Sequence, residues 1–365
     1  MLITRTDIYR YSIPMVPFTI ATGTMHYAQN LLIRMHTSEG LTGVGECSAF
    51  PMIVGETQAT CFEMAKDFAA CWKNKSATEM EERLQELDLL TARNYTAKSA
   101  FDMALYDLAA QSAGQPLYRY LGGKKKPIES DLTIGIGTPE TMAQTATAFE
   151  ARGVRILKVK LGKNPTEDVE RIRQIRAAVS PDIKIRIDAN QGWEPEEAAW
   201  ALSALARFDI ECCEQPMRTW NDHFLPALCR ESPIPVMADE SVYTHHDAER
   251  LIRNQACHSI NIKLAKSGGI REALRIHEIC ARHHIPNMMG GMLESRVALT
   301  AKVHLATALD NIQYYDLDTC LLGHLEDPVT GGVTYQGMQL ELPETPGIGA
   351  DVDPAYLEKL DHTCI

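Results

Sequence analysis

Residues 156–162 read ILKVKLG, with Ile156, Leu157, Val159 and Leu161 marking a β-strand and Gly162 supplying the turn that ends it. Side chains alternate between the two faces of a strand, so Lys158 and Lys160 point the same way. The flanking apolar residues leave no obvious solvent face, and a solvated strand edge accounts poorly for the pair. The inner row of a barrel, with helices covering the outside, fits better.

Working outward, seven more segments share this character: DLTIGIG (131–137), IKIRIDAN (183–190), DIECCEQP (209–216), IPVMADES (234–241), HSINIKLA (258–265), IPNMMGG (285–291) and IQYYDLD (312–318). Amphipathic stretches such as PTEDVERIRQIRAAV (165–179) and GIREALRIHEICARH (269–283) lie between them. Alternating β and α text with buried strands implies a parallel sheet, and eight strands imply a closed (β/α)8-type barrel. Thr133, Lys160, Asp188, Glu214, Asp239, Lys263, Gly290 and Asp316 follow one another at intervals of 24 to 28 residues. Each interval is about one strand plus one helix. Every strand therefore delivers one residue to the same rim, where barrel sites lie.

Before the barrel, residues 1–55 alternate like strands and residues 57–122 switch to helical periodicity. The expected organisation is an α+β capping domain over 1–124 and a barrel over 125–320. A C-terminal segment, 321–365, is expected to pack back on the cap.

Net charge is −12, which argues against nucleic acid as a partner. No stretch reaches the roughly 18 apolar residues of a membrane span. The opening MLITRTDIYRYSIP lacks the apolar core of a signal peptide. Ten cysteines are scattered without a C-x-x-C pair, so reduced thiols and a cytoplasmic location are expected.

Asp188, Glu214 and Asp239 end the third, fourth and fifth barrel strands. Adjacent strands lie about 4.8 Å apart, so three carboxylates converge. A hard divalent cation relieves their repulsion, and all-oxygen ligands favour Mg²⁺ over zinc. Separate salt bridges, for example to Arg186, are the plain alternative. Lys160 and Lys263 lie on strands two and six, on opposite sides of an eight-stranded barrel. A substrate carboxylate on the metal then has an ammonium on each face, with Lys158 adding positive charge that lowers its neighbour's pKa. That arrangement suits removal of the proton next to the carboxylate, stabilisation of the enediolate, and return of a proton from the opposite face.

The stretches KVK (158–160), IDANQGW (187–193), CEQP (213–216), MADES (237–241) and NIKLAKSGG (261–269) resemble, in order and spacing, the enolase superfamily and its muconate-lactonizing subgroup. The resemblance covers essentially the whole chain. It implies an α+β cap on a modified (β/α)7β barrel that binds Mg²⁺, with the first strand–helix unit irregular. The DLD at 316–318 resembles the D-x-D motif of dipeptide epimerases, which implies that Asp316 and Asp318 hold the substrate α-ammonium. SDLTIG (130–135) and GGMLES (290–295) resemble substrate-backbone contacts and place Thr133 and Met292 near the ligand. Asn190, Gln215 and Glu240 resemble groups that orient the metal ligands. Lys266 lies three residues past the strand-six lysine, and whether it faces the site or sits in a loop is left open by the sequence. The mandelate racemase branch has a histidine base on strand seven; here that strand reads IPNMMGG, and His283 and His284 come before it and read as a helix end, so that branch is disfavoured.

Two cap segments, PFTIATGTMHY (17–27) and SAFPMIVGET (48–57), read as loops that close over the site. Similar enzymes that act on Ala-Glu carry an arginine in the first; here Gly23 falls at about that position. Neither loop contains Arg or Lys. With Met25 and Ile53 as lining, a neutral and preferably apolar Xaa in an Ala-Xaa dipeptide is expected, and Glu56 favours a cationic Xaa only if it points inward. Other readings are an Ala-Glu epimerase, an o-succinylbenzoate synthase or N-succinylamino acid racemase, a Schiff-base aldolase on Lys263, and a non-catalytic binding protein. DLD argues against acylated substrates, which have no ammonium. A homo-oligomer is expected.

Overall fold

The computed structural model describes residues 1–365. Strands β1 (Ile3–Ile20), β2 (Gly23–Thr37) and β3 (Thr42–Ser48) form an antiparallel sheet. The C-terminal strand His362–Cys364 adds to its β1 edge. Most of 17–27 is therefore not a free loop. It is the tip of the β1–β2 hairpin, where Phe18 pairs with Met25 and Ile20 with Gly23. The Thr19 and Thr24 hydroxyls, 2.8 Å apart, extend the pairing to the tip.

The helix Tyr95–Ser112 packs on β3 and is buried along nearly its whole length. A Cβ at Gly45 would lie 1.9 Å from the Ala100 carbonyl oxygen, and one at Gly43 2.3 Å from that of Ala104. The alternate glycines of TGVGE thus let the helix backbone settle directly onto the strand.

The barrel strands are β4 (Leu132–Ile134), β5 (Ile156–Lys160), β6 (Lys184–Asp188), β7 (Ile210–Glu214), β8 (Val236–Ala238), β9 (Ser259–Ile262), β10 (Asn287–Gly290) and β11 (Ile312–Asp316). All pair in parallel in sequence order. Between β11 and β4 the sheet is nearly closed. The Asp131 N–H donates to the Tyr315 carbonyl at 3.0 Å, and side chains complete the seam. Ser130 Oγ accepts the Leu317 N–H and Asp318 accepts the Thr133 N–H.

Prolines at the start of helices Pro139–Ala151, Pro165–Ala178 and Pro195–Leu205 set the first turn where no N–H is needed. The first strand–helix unit is regular. The irregularity falls at the other end, because β11 is followed only by the short turn Thr319–Leu321. The chain leaves the barrel there for the cap, which gives (β/α)7β.

Cap and barrel are joined by carboxylates at helix starts. Asp102 accepts the Ile270 and Arg271 N–H groups at the start of Ile270–Arg282. Glu46 accepts those of Ser295 and Ala298 at the start of Arg296–Ala308. Negative charge at a helix N-terminus is favourable, so these contacts fix the cap over the barrel mouth. His283 caps the C-terminal end of Ile270–Arg282. All ten cysteines are free, and no helix is long and apolar enough to cross a membrane.

Candidate active site

The rim follows from strand register. Lys160, Asp188 and Glu214 are the last residues of β5, β6 and β7, and the register aligns Lys160 with Asp188 and Asp188 with Glu214. Asp239 and Lys263 directly follow β8 and β9. All five are buried.

Four ammonium groups interleave with the acids. Lys160 Nζ lies 2.6 Å from Asp188 Oδ2. Lys158 Nζ lies 2.6 Å from Glu214 Oε2, 2.6 Å from Asp316 Oδ2 and 3.4 Å from Asp188 Oδ2. Lys263 Nζ lies 2.8 Å from Asp239 Oδ2, and Lys266 Nζ 2.8 Å from Asp239 Oδ1. Both lysines of ILKVKLG do point one way, and both reach Asp188. Arg186 serves other acids, Asp131 at 3.0 Å and Glu211 at 2.7 Å.

Burial alone would lower the pKa of Lys158, but Asp316, Glu214 and Asp188 outweigh it and hold it above the ordinary lysine value. Burial would likewise lower Lys263, and Asp239 and Glu214 raise it instead. At Lys158 and Lys263 the facing carboxylates outweigh burial, and at Lys263 they also outweigh the neighbouring Lys158 charge. Burial would raise Asp239, yet Lys263 and Lys266 hold it well below the usual carboxylate range. Glu214 is pushed up to about 7 by burial and the Asp188 charge.

A cavity separates this rim from the cap. Its cap wall is Phe18, Ile20, Phe50 and Ile53. Its barrel wall includes Lys160 and Lys263, with Asp316 and Asp318 beside Thr133 and Met292. Asn190 also reaches it. Lys158 does not line the cavity. At 1% exposure it lies beneath the rim with its charge taken by three acids.

Gly23 and Met25 do not line the cavity either. Their cross-strand partners Ile20 and Phe18 do, and a Cβ on Gly23 would meet Met52 Sδ at 2.6 Å. Glu56 does not point into the site. It accepts the Thr96 and Ala97 N–H groups at 3.1 and 3.3 Å and caps the helix Tyr95–Ser112. The N–H groups of Thr133 and Met292 are already engaged, by Asp318 and Glu294.

The turns after the strands are tied together. Asn190 and Gln215 have φ of 42° and 33°, in the left-handed region. Gln215 Oε1 accepts the Asp239 and Ser241 N–H groups, and its amide donates to Ser241 Oγ and the Met217 carbonyl. The Asn190 N–H donates to Asp188 Oδ1 at 2.8 Å, and its side-chain amide lies 3.5 Å from Glu240.

Lys266 lies in the short helical turn Leu264–Ser267, is fully buried, and bonds the Asn261 carbonyl as well as Asp239. Two other residues escaped the sequence reading. The Asn261 amide donates to Glu214 Oε1 at 2.8 Å, and β10 ends in Gly290 because a Cβ there would lie 2.3 Å from Asn261 Oδ1. Lys302 pairs with Glu294 in the interior and also donates to the Gly290 carbonyl. An asparagine on a strand and a lysine inside an apolar helix were the available signals.

The donor set of Asp188, Glu214 and Asp239 is all carboxylate oxygen, and Glu214 Oε2 and Asp239 Oδ1 lack a well-directed hydrogen bond. These residues suit a hard divalent cation. The acids whose ligand atoms all lie within 4.8 Å of one another are a different group, Asp131, Asp316 and Asp318. There, however, Asp131 is paired with Arg186 and Asp318 is already an acceptor for Thr133.

Residues 3–122 match the mandelate racemase/muconate lactonizing enzyme N-terminal domain, and residues 140–356 match the enolase C-terminal domain-like model. The chain belongs to the enolase superfamily. Within that superfamily it groups with the dipeptide epimerases. It is 43% identical to a D-Ala-D/L-Ala epimerase of Cytophaga hutchinsonii, with 100% of both chains covered. It is 40% identical to a hydrophobic dipeptide epimerase of Enterococcus faecalis, over 91% of this chain and 94% of that one. The crystal structure of a Cytophaga hutchinsonii dipeptide epimerase complexed with Mg and D-Ala-L-Val superposes with a TM-score of 0.98, at 43% identity and 100% coverage of both chains. That of an Enterococcus faecalis dipeptide epimerase with Mg and L-Leu-L-Tyr gives 0.93, at 38% identity, covering 96% of this chain and 100% of that superfamily member.

Proposed function

We propose that this chain is an isomerase, a Mg²⁺-dependent dipeptide epimerase that inverts the α-carbon of the C-terminal residue of Ala-Xaa dipeptides, with Xaa neutral and preferably apolar. The observation that carries this reading is the cavity itself. Two lysines from opposite sides of the barrel, Lys160 and Lys263, and an acid pair, Asp316 and Asp318, face four apolar cap residues across it.

In this reading Asp188, Glu214 and Asp239 would hold the metal, which would supply positive charge for the substrate carboxylate. One of Lys160 and Lys263 takes the α-proton and the other returns one from the opposite face. Lys158 keeps positive charge beneath the carbon that becomes anionic. Asp316 and Asp318 take the substrate ammonium. That assigns the second acid group to an organic cation, because Asp316 and Asp318 line the cavity whereas Asp131 is tied to Arg186.

The Xaa preference is supported by Phe18, Ile20, Phe50 and Ile53, none of which could pair a carboxylate. Leaving a buried carboxylate unpaired costs several kcal/mol. Steady-state kinetics on L-Ala-L-Leu, L-Ala-L-Glu and L-Ala-L-Lys, with the D-Ala series in parallel, test the reading. The Leu dipeptides should have the highest kcat/KM; a preference for Glu would overturn the apolar assignment.

A further inference from the structure

Residues 50–55 form an arch over the cavity. The short helical turn Pro51–Val54 has no buried residue and ends at Gly55, whose φ of 78° turns the chain out of the helix. Both feet of the arch stand on the cap. At one foot the Ala49 N–H donates to the Gln29 carbonyl, and at the other Glu56 caps the helix Tyr95–Ser112. Hydrogen bonds within the arch run only from residue to residue along its own turn.

One hydrogen bond ties the middle of the arch to the barrel. The Tyr243 hydroxyl donates to the Ile53 carbonyl at 2.8 Å. Ile53 is the arch residue whose side chain, with that of Phe50, lines the substrate cavity. Tyr243 stands four residues beyond Asp239, and its ring lies 5.9 Å from that of Tyr95. Two other arch residues, Val54 and Gly55, line a second, larger cavity together with Tyr95 and Tyr243. The arch therefore gives Phe50 and Ile53 to one cavity and Val54 and Gly55 to the other, and the Tyr243 hydroxyl is its one side-chain hydrogen bond to the barrel.

We propose that the Tyr243 hydroxyl is a latch that positions the arch and so sets the depth of the pocket for the Xaa side chain. It is a positioning residue, acting through Ile53. Released, the arch recedes toward the second cavity. Small Xaa side chains then lose contact with Ile53, and large ones gain room. The inference rests on the dipeptide reading for its substrate consequence, but the latch itself is readable without turnover.

Tyr243→Phe removes the donor and keeps the ring against Tyr95. Amide hydrogen exchange of residues 53–55 should speed up by about three- to tenfold, the range one neutral hydrogen bond supports. With metal present, KM for L-Ala-L-Ala should rise by a similar factor while kcat changes by less than about twofold, and KM for L-Ala-L-Phe should stay level or fall. Unchanged exchange in 53–55 overturns the latch. So does a loss of kcat equal for both dipeptides, which would mark a general structural role. Absence of turnover by the wild-type protein on every dipeptide would overturn the dipeptide reading, and the exchange measurement would still decide the latch.

Discussion

The Lys158 ammonium lies 2.6 Å from Glu214 Oε2 on β7 and 2.6 Å from Asp316 Oδ2 on β11. One side chain from β5 thus ties three strands together across the barrel interior. Removing it leaves buried carboxylates short of a counterion. Lys158→Met keeps most of the volume and should still cost about 3–5 kcal/mol in urea unfolding at pH 8, besides abolishing activity. A Met variant as stable as the wild type would show that the ammonium is not the tie.

Lys160 and Lys263 reach the cavity from strands four apart. Lys160→Ala and Lys263→Ala should each reduce epimerisation by at least about 10²- to 10⁴-fold. Each should retain exchange of the α-proton from the one epimer that faces its surviving lysine. Mass gain of each dipeptide epimer in D₂O reads this directly. Equal exchange of both epimers by either variant contradicts bases on opposite faces.

Two acid groups compete for the cation, and binding separates them without any turnover. Calorimetric titration with Mg²⁺ or Mn²⁺ should show tight binding lost in Asp188→Asn, Glu214→Gln and Asp239→Asn and kept in Asp131→Asn. Exhaustive chelation should abolish activity, and Mg²⁺ should restore it. Loss of binding in Asp131→Asn alone would move the metal to the other group.

The rim was legible because strand phase is one-dimensional. Each barrel strand ends one helix and one strand after the last, so Lys160, Asp188, Glu214 and Asp239 could be counted onto it. What depends on a second chain direction was not legible. Met25 and Phe18 are equally apolar and lie opposite each other in the β1–β2 hairpin, and only the hairpin's approach to the barrel decides that Phe18 meets the cavity. Glu56 reads as a loop acid, and its role depends on a helix start forty residues away. Lys266 sits three residues past the strand end, where the phase argument stops. It folds back on Asp239 through the short turn Leu264–Ser267.

Glu46 carries the cap onto the barrel. Its two oxygens accept the Asn30 amide, the Ser295 N–H and hydroxyl, and the Ala298 N–H, all between 2.7 and 2.9 Å. Glu46→Gln replaces one acceptor oxygen with an NH₂ group that faces donors. The expected loss is about 2–3 kcal/mol, since a buried donor is left without its partner. The fall in melting temperature should accompany a raised KM, because Gly291 to Leu293, just before Ser295, line the cavity. An unchanged melting temperature would show that the cap docks by other contacts.

The Asp316–Asp318 pair should govern the pH dependence. Burial alone would raise Asp316, but Lys158 draws it down to about 2, whereas burial and the Asp316 charge push Asp318 up to about 7. Asp318 is thus protonated in the folded protein over a range where it ionises in the unfolded chain. A carboxyl with a raised folded pKa stabilises fully below its unfolded value, about 4, and loses that contribution as pH rises through about 7. Asp318→Asn keeps an acceptor for the Thr133 N–H and cannot ionise, so it should gain stability over the wild type at pH 8 and not at pH 4. Substrate binding runs the other way. The ammonium is drawn by the ionised form, so wild-type kcat/KM should climb through about pH 7. The variant should lack that limb and show a KM raised about 10- to 100-fold, the worth of a charge-assisted bond. Melting curves and pH–rate profiles from pH 5.5 to 8.5 check both halves. If the limb near 7 persists in Asp318→Asn, another group carries it and the ammonium site is not here.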